Sequence, residues 1–172
     1  VARGMAEGYT LSLPADDRRL TSKKKLEAEM IGLLGGRAAE TLIFDDITSG
    51  AANDIERVTK IARQMVTRLG MSEKLGPRVY GQQEEMIFLG REISEQRDYS
   101  EVVAQEIDTE VARLVEEAFN RAMDLLTQYK GQLEAVAEAL LEKETITAEE
   151  FVAIFPAPVE KKSGTPLLNG AY

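Results

Sequence analysis

Cysteine, histidine and tryptophan are all absent from this chain. Without cysteine there are no disulfides, no thiolate chemistry and no cysteine-type zinc site, a composition that suits a reducing compartment. Without histidine there is no H-E-x-x-H motif, the commonest helical zinc signature. No uninterrupted apolar run approaches the length of a membrane helix, and the start lacks the charged-then-apolar pattern of a signal peptide. Positive charge is scarce too: 21 Lys and Arg stand against 30 Asp and Glu, a net charge of −9. That balance argues against nucleic acid as a partner, since phosphate binding needs clustered cations. The one basic run, Lys23-Lys24-Lys25, precedes Leu26, Met30 and Leu34 in a helical pattern and reads as a solvated helix face. No G-x-x-x-x-G-K-[ST] loop is present, so ATP has no site of that kind here.

What remains, 44% apolar and 30% charged over 172 residues, is the composition of one globular domain with a real core. The most informative stretch is Thr48-Ser49-Gly50-Ala51-Ala52-Asn53-Asp54-Ile55-Glu56-Arg57. It opens an amphipathic helix in which Ile55, Val58, Ile61, Ala62, Met65, Val66 and Leu69 recur at three-and-four spacing, with Gly70 as the stop. Asp54 stands four before Val58 and seven before Ile61, so its side chain is expected toward the interior or a cleft at its rim, with Glu56 and Arg57 facing out. A carboxylate so placed needs a cation, hydrogen-bond donors or a metal. The plainer reading of Asp54 is a helix-start residue favoured by unpaired amides and the helix dipole.

The periodicity elsewhere predicts a mostly α-helical fold. Residues 8–13 alternate between Gly8 and Pro14 and read as a short edge strand, whose unpaired backbone at Tyr9, Thr10 and Leu11 could hold an extended peptide. Thr21 or Ser22 caps a helix in which Leu26, Met30, Leu34 and Ala38 repeat every four residues. Gly35 and Gly36 are expected to interrupt it. Each costs on the order of 1 kcal/mol relative to alanine in a helix, and close approach of another backbone would compensate. Residues 71–99 read as loops with extended pieces near Val79-Tyr80 and Ile87-Phe88-Leu89.

Ser100 then caps a long helix carrying Val103, Ile107, Val111, Leu114, Ala118, Ala122 and Leu125, which Gly131 ends. A second helix follows, with Leu133, Val136, Ala137, Leu140 and Leu141 on one face, and the pair is expected as a C-terminal helical hairpin. Glu110, Glu116 and Glu117 read as its solvated acidic exterior. Thr147-Ala148-Glu149-Glu150 is a capping box opening a last short helix with Phe151, Val152 and Phe155 on its apolar face. Residues 156–172 read as a flexible tail.

Three blocks in fixed order, Leu33-Leu34-Gly35-Gly36-Arg37-Ala38-Ala39-Glu40, then Thr48 to Arg57, then Gly70-Met71-Ser72-Glu73-Lys74-Leu75-Gly76-Pro77, resemble the FtsH family of membrane-bound, ATP-dependent zinc proteases. Gly8-Tyr9-Thr10-Leu11-Ser12-Leu13-Pro14 and Phe88-Leu89-Gly90-Arg91 look like that family as well, so the resemblance runs from about residue 1 to about residue 155. It implies a partial peptidase domain over 1–155. In the family, two histidines of an H-E-x-x-H helix and the aspartate of the G-A-x-N-D block hold zinc; that aspartate falls on Asp54. The glutamate after G-G-R-x-A, which supports a ligand histidine, falls on Glu40, and the strand along the cleft falls on Tyr9, Thr10 and Leu11.

The absent histidines are the one departure. In the family the H-E-x-x-H helix precedes the R-G-x-x-x-G-Y-T segment, so the resemblance puts both histidines and the general-base glutamate upstream of Val1, and assigns no catalytic base to this chain. It also implies peptide-bond hydrolysis of protein substrates, a homohexamer formed by peptidase and AAA+ modules, ATP consumed outside this chain, and a membrane anchor in upstream sequence that holds the enzyme at the cytoplasmic face. A reading of another class stays open beside it: a non-catalytic helical assembly module, in which Asp54 and Glu40 are ordinary caps or ion-pair members.

Overall fold

The structure, a computed structural model, describes residues 21–81 and 98–155. The chain divides into two compact units, Val1–Tyr129 and Lys130–Tyr172. The strand expected at 8–13, the extended piece at 87–89 and the tail from 156 lie outside the described residues. Those that are described are mostly helical, with no strand among them.

In the first unit, α1 spans Lys23–Phe44, α2 Ala52–Thr67 and α3 Glu101–Gln128. Ser22 opens α1 by accepting a hydrogen bond from the Lys25 amide, and Ser100 opens α3 by accepting from that of Val103, as hydroxyl N-caps do. Every fourth residue of α1 (Met30, Leu34, Ala38) is buried, and this stripe packs against both α2 and α3. The other walls of the core are Val58, Ala62, Met65 and Val66 of α2 and Ile107, Val111, Leu114, Ala118 and Ala122 of α3.

Two expectations about these helices fail. Gly35 and Gly36 do not interrupt α1, which runs through them without a break, and nothing among the described residues lies within 4 Å of where their Cβ atoms would be. Burial of Leu34 and Ala38 on either side outweighs the propensity penalty. The stripe of α2 is also narrower than its sequence pattern, because Ile55 is 37% and Leu69 50% exposed. Both lie at helix ends, beyond the reach of the facing helices.

Beyond α2 the backbone turns on a glycine that the geometry demands. The last turn widens, with Leu69 N–H donating to Gln64 O and Met71 N–H to Met65 O. Gly70 then adopts φ +59°, and a Cβ there would stand 2.9 Å from Pro77 Cα. The following segment folds back over the helix end: Tyr80 N–H donates to Thr67 O, and its hydroxyl to Leu75 O, both at 2.9 Å. Tyr80 is buried, with Tyr99 edge-on to its ring at 6.0 Å and Arg78 over it at 5.1 Å.

The second unit contains α4, Lys130–Lys143, and α5, Ala148–Ile154, which pack on each other. The break before α4 falls at Tyr129, two residues ahead of Gly131. The capping box is complete: Glu150 N–H donates to Thr147 Oγ1 and Thr147 N–H to Glu150 Oε2. Lys143 adds an ion pair to Glu150 at 2.7 Å. Phe151 and Phe155 stack at 5.0 Å, but Val152, expected on the same face, is 67% exposed. Neither helix has a buried residue.

Candidate functional site

The connection between α1 and α2 carries the residues that the sequence singles out. α1 ends at Asp45, a non-glycine residue at φ 50°. Asp46 then accepts from the Ile47 amide at 2.7 Å, directing the chain into a single 3-10 turn, Ser49–Ala51, and so into α2. Glu40, on the last turns of α1, reaches across this connection. Its Oε1 accepts from the Thr48 hydroxyl at 2.6 Å and its Oε2 from the Thr48 amide at 3.3 Å. Thr48 Oγ1 in turn accepts from Gly50 N–H at 3.2 Å. Those hydrogen bonds from Thr48, side chain first and then backbone, hold the Glu40 carboxyl below the usual glutamate range.

Asp54 lies in the first turn of α2. Its side chain is 46% exposed, at the rim and not in the interior, and Arg57 Nη1 approaches Oδ1 only to 3.8 Å. Arg57 is shared with Glu29, at 3.9 Å. Such long, solvated ion pairs contribute little and leave the carboxylate oxygens open to another ligand. Among the described residues no group of three Asp, Glu, His or Cys is arranged to hold a metal. Glu40 and Asp54 thus flank one turn, Glu40 bonded into it and Asp54 projecting from the helix it starts. Tyr9, Thr10 and Leu11 lie outside the described residues.

A second polar constellation was misread from the sequence. Glu110, expected on a solvated face, is 4% exposed. Its Oε2 accepts from the Ser72 hydroxyl at 2.7 Å, and Arg113 donates to both of its oxygens, at 3.0 and 3.2 Å. The Arg113 hydrogen bonds hold the Glu110 carboxyl below its ordinary value, against burial, which pushes it up; Ser72 adds to the lowering. Arg113 also bonds Glu117, which does face solvent, at 2.7 Å. The signal was available: Glu110 is three residues after Ile107 and four before Leu114, so it lies on the buried stripe. The open depression beside it, about 480 Å³, is lined by residues of mixed charge including Lys23, Glu73, Lys74 and Glu117, and by none of Glu40, Thr48 or Asp54.

A family model described as peptidase family M41 matches residues 1–154. The ATP-dependent zinc metalloprotease FtsH 1 of Thermomicrobium roseum is 49% identical over 173 residues, covering 99% of this chain and 26% of that protein. The ATP-dependent zinc metalloprotease FtsH of Pseudothermotoga lettingae is 54% identical over 146 residues, 85% of this chain and 23% of its own length. For that of Thermotoga maritima the values are 51% over 156 residues, 91% and 26%. The chain spans about a quarter of the length of these curated relatives. With the family match running through both Glu40 and Asp54, the chain belongs to peptidase family M41.

Proposed function

We propose that this chain supplies the mostly helical part of the peptidase domain of a zinc-dependent endopeptidase, with residues 1–155 as the partial domain and 156–172 as a tail. Asp54 is its metal ligand. The observation that carries this reading is the placement of Asp54: a half-exposed carboxylate in the first turn of α2, unpaired at hydrogen-bonding distance by Arg57, inside a family match to zinc metalloproteases. A bound zinc would polarise the scissile carbonyl and acidify a water. The part played by this chain is to hold one oxygen ligand rigidly on a helix, with the start of that helix tied to α1. Glu40 supports a ligand histidine, and Tyr9, Thr10 and Leu11 pair with an extended substrate. The relatives are named ATP-dependent zinc metalloproteases, which supports ATP-driven delivery of protein substrates, unfolded or membrane-derived; a homohexamer at the cytoplasmic face of a membrane is carried over from the family resemblance alone. No helix among the described residues is long and apolar enough to cross one.

One carboxylate alone makes a weak site, since zinc sites use three or four protein ligands. Titration calorimetry of the 172-residue chain should therefore show weak zinc binding. A longer polypeptide carrying the H-E-x-x-H helix ahead of Val1 should bind tightly and cleave unfolded protein. Asp54→Asn in the longer polypeptide should abolish both, with helix content by circular dichroism unchanged. Tight binding by the histidine-free chain, or full activity of the Asp54→Asn protein, would return Asp54 to the role of helix-start residue and favour the assembly-module reading.

A further inference from the structure

Asp54 has little of its own to hold it in place. Among the described residues its nearest cation, Arg57, stands at 3.8 Å and its side chain is half in solvent, so the position of its carboxylate is set by the backbone of the first turn of α2. That turn has no side-chain cap of its own: the residue at the N-cap position, Ala51, makes no capping hydrogen bond. What precedes it is the 3-10 turn at Ser49–Ala51, capped by Thr48. Thr48 makes three hydrogen bonds there. It gives its hydroxyl and its amide hydrogens to the two oxygens of Glu40, and it takes the Gly50 amide hydrogen on Oγ1. The space is tight around that oxygen: a Cβ on Gly50 would come within 3.3 Å of Thr48 Oγ1. Ala51, next in line, is buried.

We propose that Thr48 is a positioning residue for the metal ligand: by bridging Glu40 on α1 to the turn that starts α2, it fixes where Asp54 stands relative to α1. The inference rests on the reading of Asp54 as a ligand and goes beyond it, because it gives Glu40 a task inside this chain. Both Glu40 oxygens act on the α2 start through Thr48. Carboxylate oxygens have two acceptor sites each, so this does not exhaust the capacity of Glu40 for another donor. The arrangement is a relay from one helix end to the next: carboxylate to hydroxyl, hydroxyl to amide, amide to the first turn that carries Asp54.

Thr48→Val keeps the shape and removes the hydroxyl, while Thr48→Ser keeps the hydroxyl. In the 172-residue chain, native-state amide exchange should find the Gly50 and Thr48 amides protected. Thr48→Val should speed exchange at Gly50 by about tenfold or more, the loss of one hydrogen bond of about 1.4 kcal/mol, with Thr48→Ser close to the parent. In the longer polypeptide with the H-E-x-x-H helix, Thr48→Val should weaken zinc by about tenfold or more, as loss of an orienting partner does, and Thr48→Ser should restore it. Circular dichroism should be the same for all three. If Asp54→Asn weakens zinc and Thr48→Val does not, the positioning role falls and the ligand stands. Zinc affinity unmoved by Asp54→Asn removes the ligand and the positioning role together. Unprotected Thr48 and Gly50 amides in the parent chain would overturn the relay without recourse to any variant.

Discussion

Removing the charge of Glu110 should destabilise the first unit in a way that depends on pH. Glu110 and Ser72 are each 4% exposed, and the carboxylate receives three hydrogen bonds, two from Arg113 and one from Ser72. Ser72 Oγ also accepts from the Leu75 amide at 3.1 Å, so this one carboxylate ties α3 to the segment that closes the end of α2. Hydrogen bonds to charged groups contribute about 1.5–3 kcal/mol and neutral ones about 0.5–1.5. Glu110→Gln keeps the shape and an acceptor, so we expect a loss of about 1–2 kcal/mol at neutral pH. Glu110→Ala strands the buried Ser72 hydroxyl as well and should lose about 3 kcal/mol, the low end for a broken buried pair, because Arg113 is 40% exposed and can turn to Glu117 or to water. The folded-state pKa of Glu110 lies below its ordinary value of 4.5. Its contribution is therefore fully present above that value and disappears as pH falls through the lower, folded one. Urea melts followed by circular dichroism should show the Glu110→Gln deficit constant from about pH 7 to about pH 5.5 and shrinking below the ordinary value. Ser72→Ala should lose about 1.5–2.5 kcal/mol in the parent and clearly less on the Glu110→Ala background. A Glu110→Gln protein as stable as the parent at neutral pH, or a deficit that ignores acid, would refute the account.

Gly70→Ala should be strongly destabilising, by more than about 2 kcal/mol, because a left-handed φ and the 2.9 Å approach to Pro77 both penalise a Cβ. Gly36→Ala should do the opposite and gain about 0.5–1 kcal/mol, since the position is mid-helix with open space around it; a loss in the same denaturant melt would mean that the glycine serves a contact after all. Asp45→Gly should gain about 1 kcal/mol, read as a higher urea midpoint, by relieving the positive φ and by removing an acidic group from the negative end of the α1 dipole.

Helix existence was legible because it rests on local chemistry. Ser22, Ser100 and Thr147 carry hydroxyls that can only help at a helix start, and each caps the helix that follows it. The four-residue ladder of Met30, Leu34 and Ala38 needs no knowledge of a partner to predict a buried stripe. The glycines misled because propensity is a weak prior: Gly35 and Gly36 look like a break in isolation, yet α1 runs unbroken because their neighbours are buried against α2 and α3. Residue spacing finds the face of a helix but not how far along it the covering elements extend, and that is why Ile55 and Leu69 were overcounted.

Asp54 and Glu110 make the same point from opposite sides. Each sits in register with an apolar stripe, so spacing alone predicts an inward carboxylate for both. Asp54 is half exposed because it falls in the first turn of α2, before the helix passes under its neighbours. Glu110 is buried because it falls in the middle of α3, where Ser72, 38 residues earlier in the chain, closes over it. The buried carboxylate takes three donors, which make its burial tolerable. The exposed one has, among the described residues, no charged partner closer than Arg57 at 3.8 Å. For chemistry the second condition is the useful one: a ligand must keep its lone pairs available while its backbone is fixed. In the α1–α2 connection the hydrogen bonds to Glu40, Thr48 and Asp46 hold the turn, and no hydrogen bond to the Asp54 carboxylate is found among the described residues. The block that holds Asp54 therefore contains more than one carboxylate: Thr48 and Gly50, which precede it, are hydrogen-bonded into the turn that leads to its helix, and positioning Asp54 is the task proposed for Thr48.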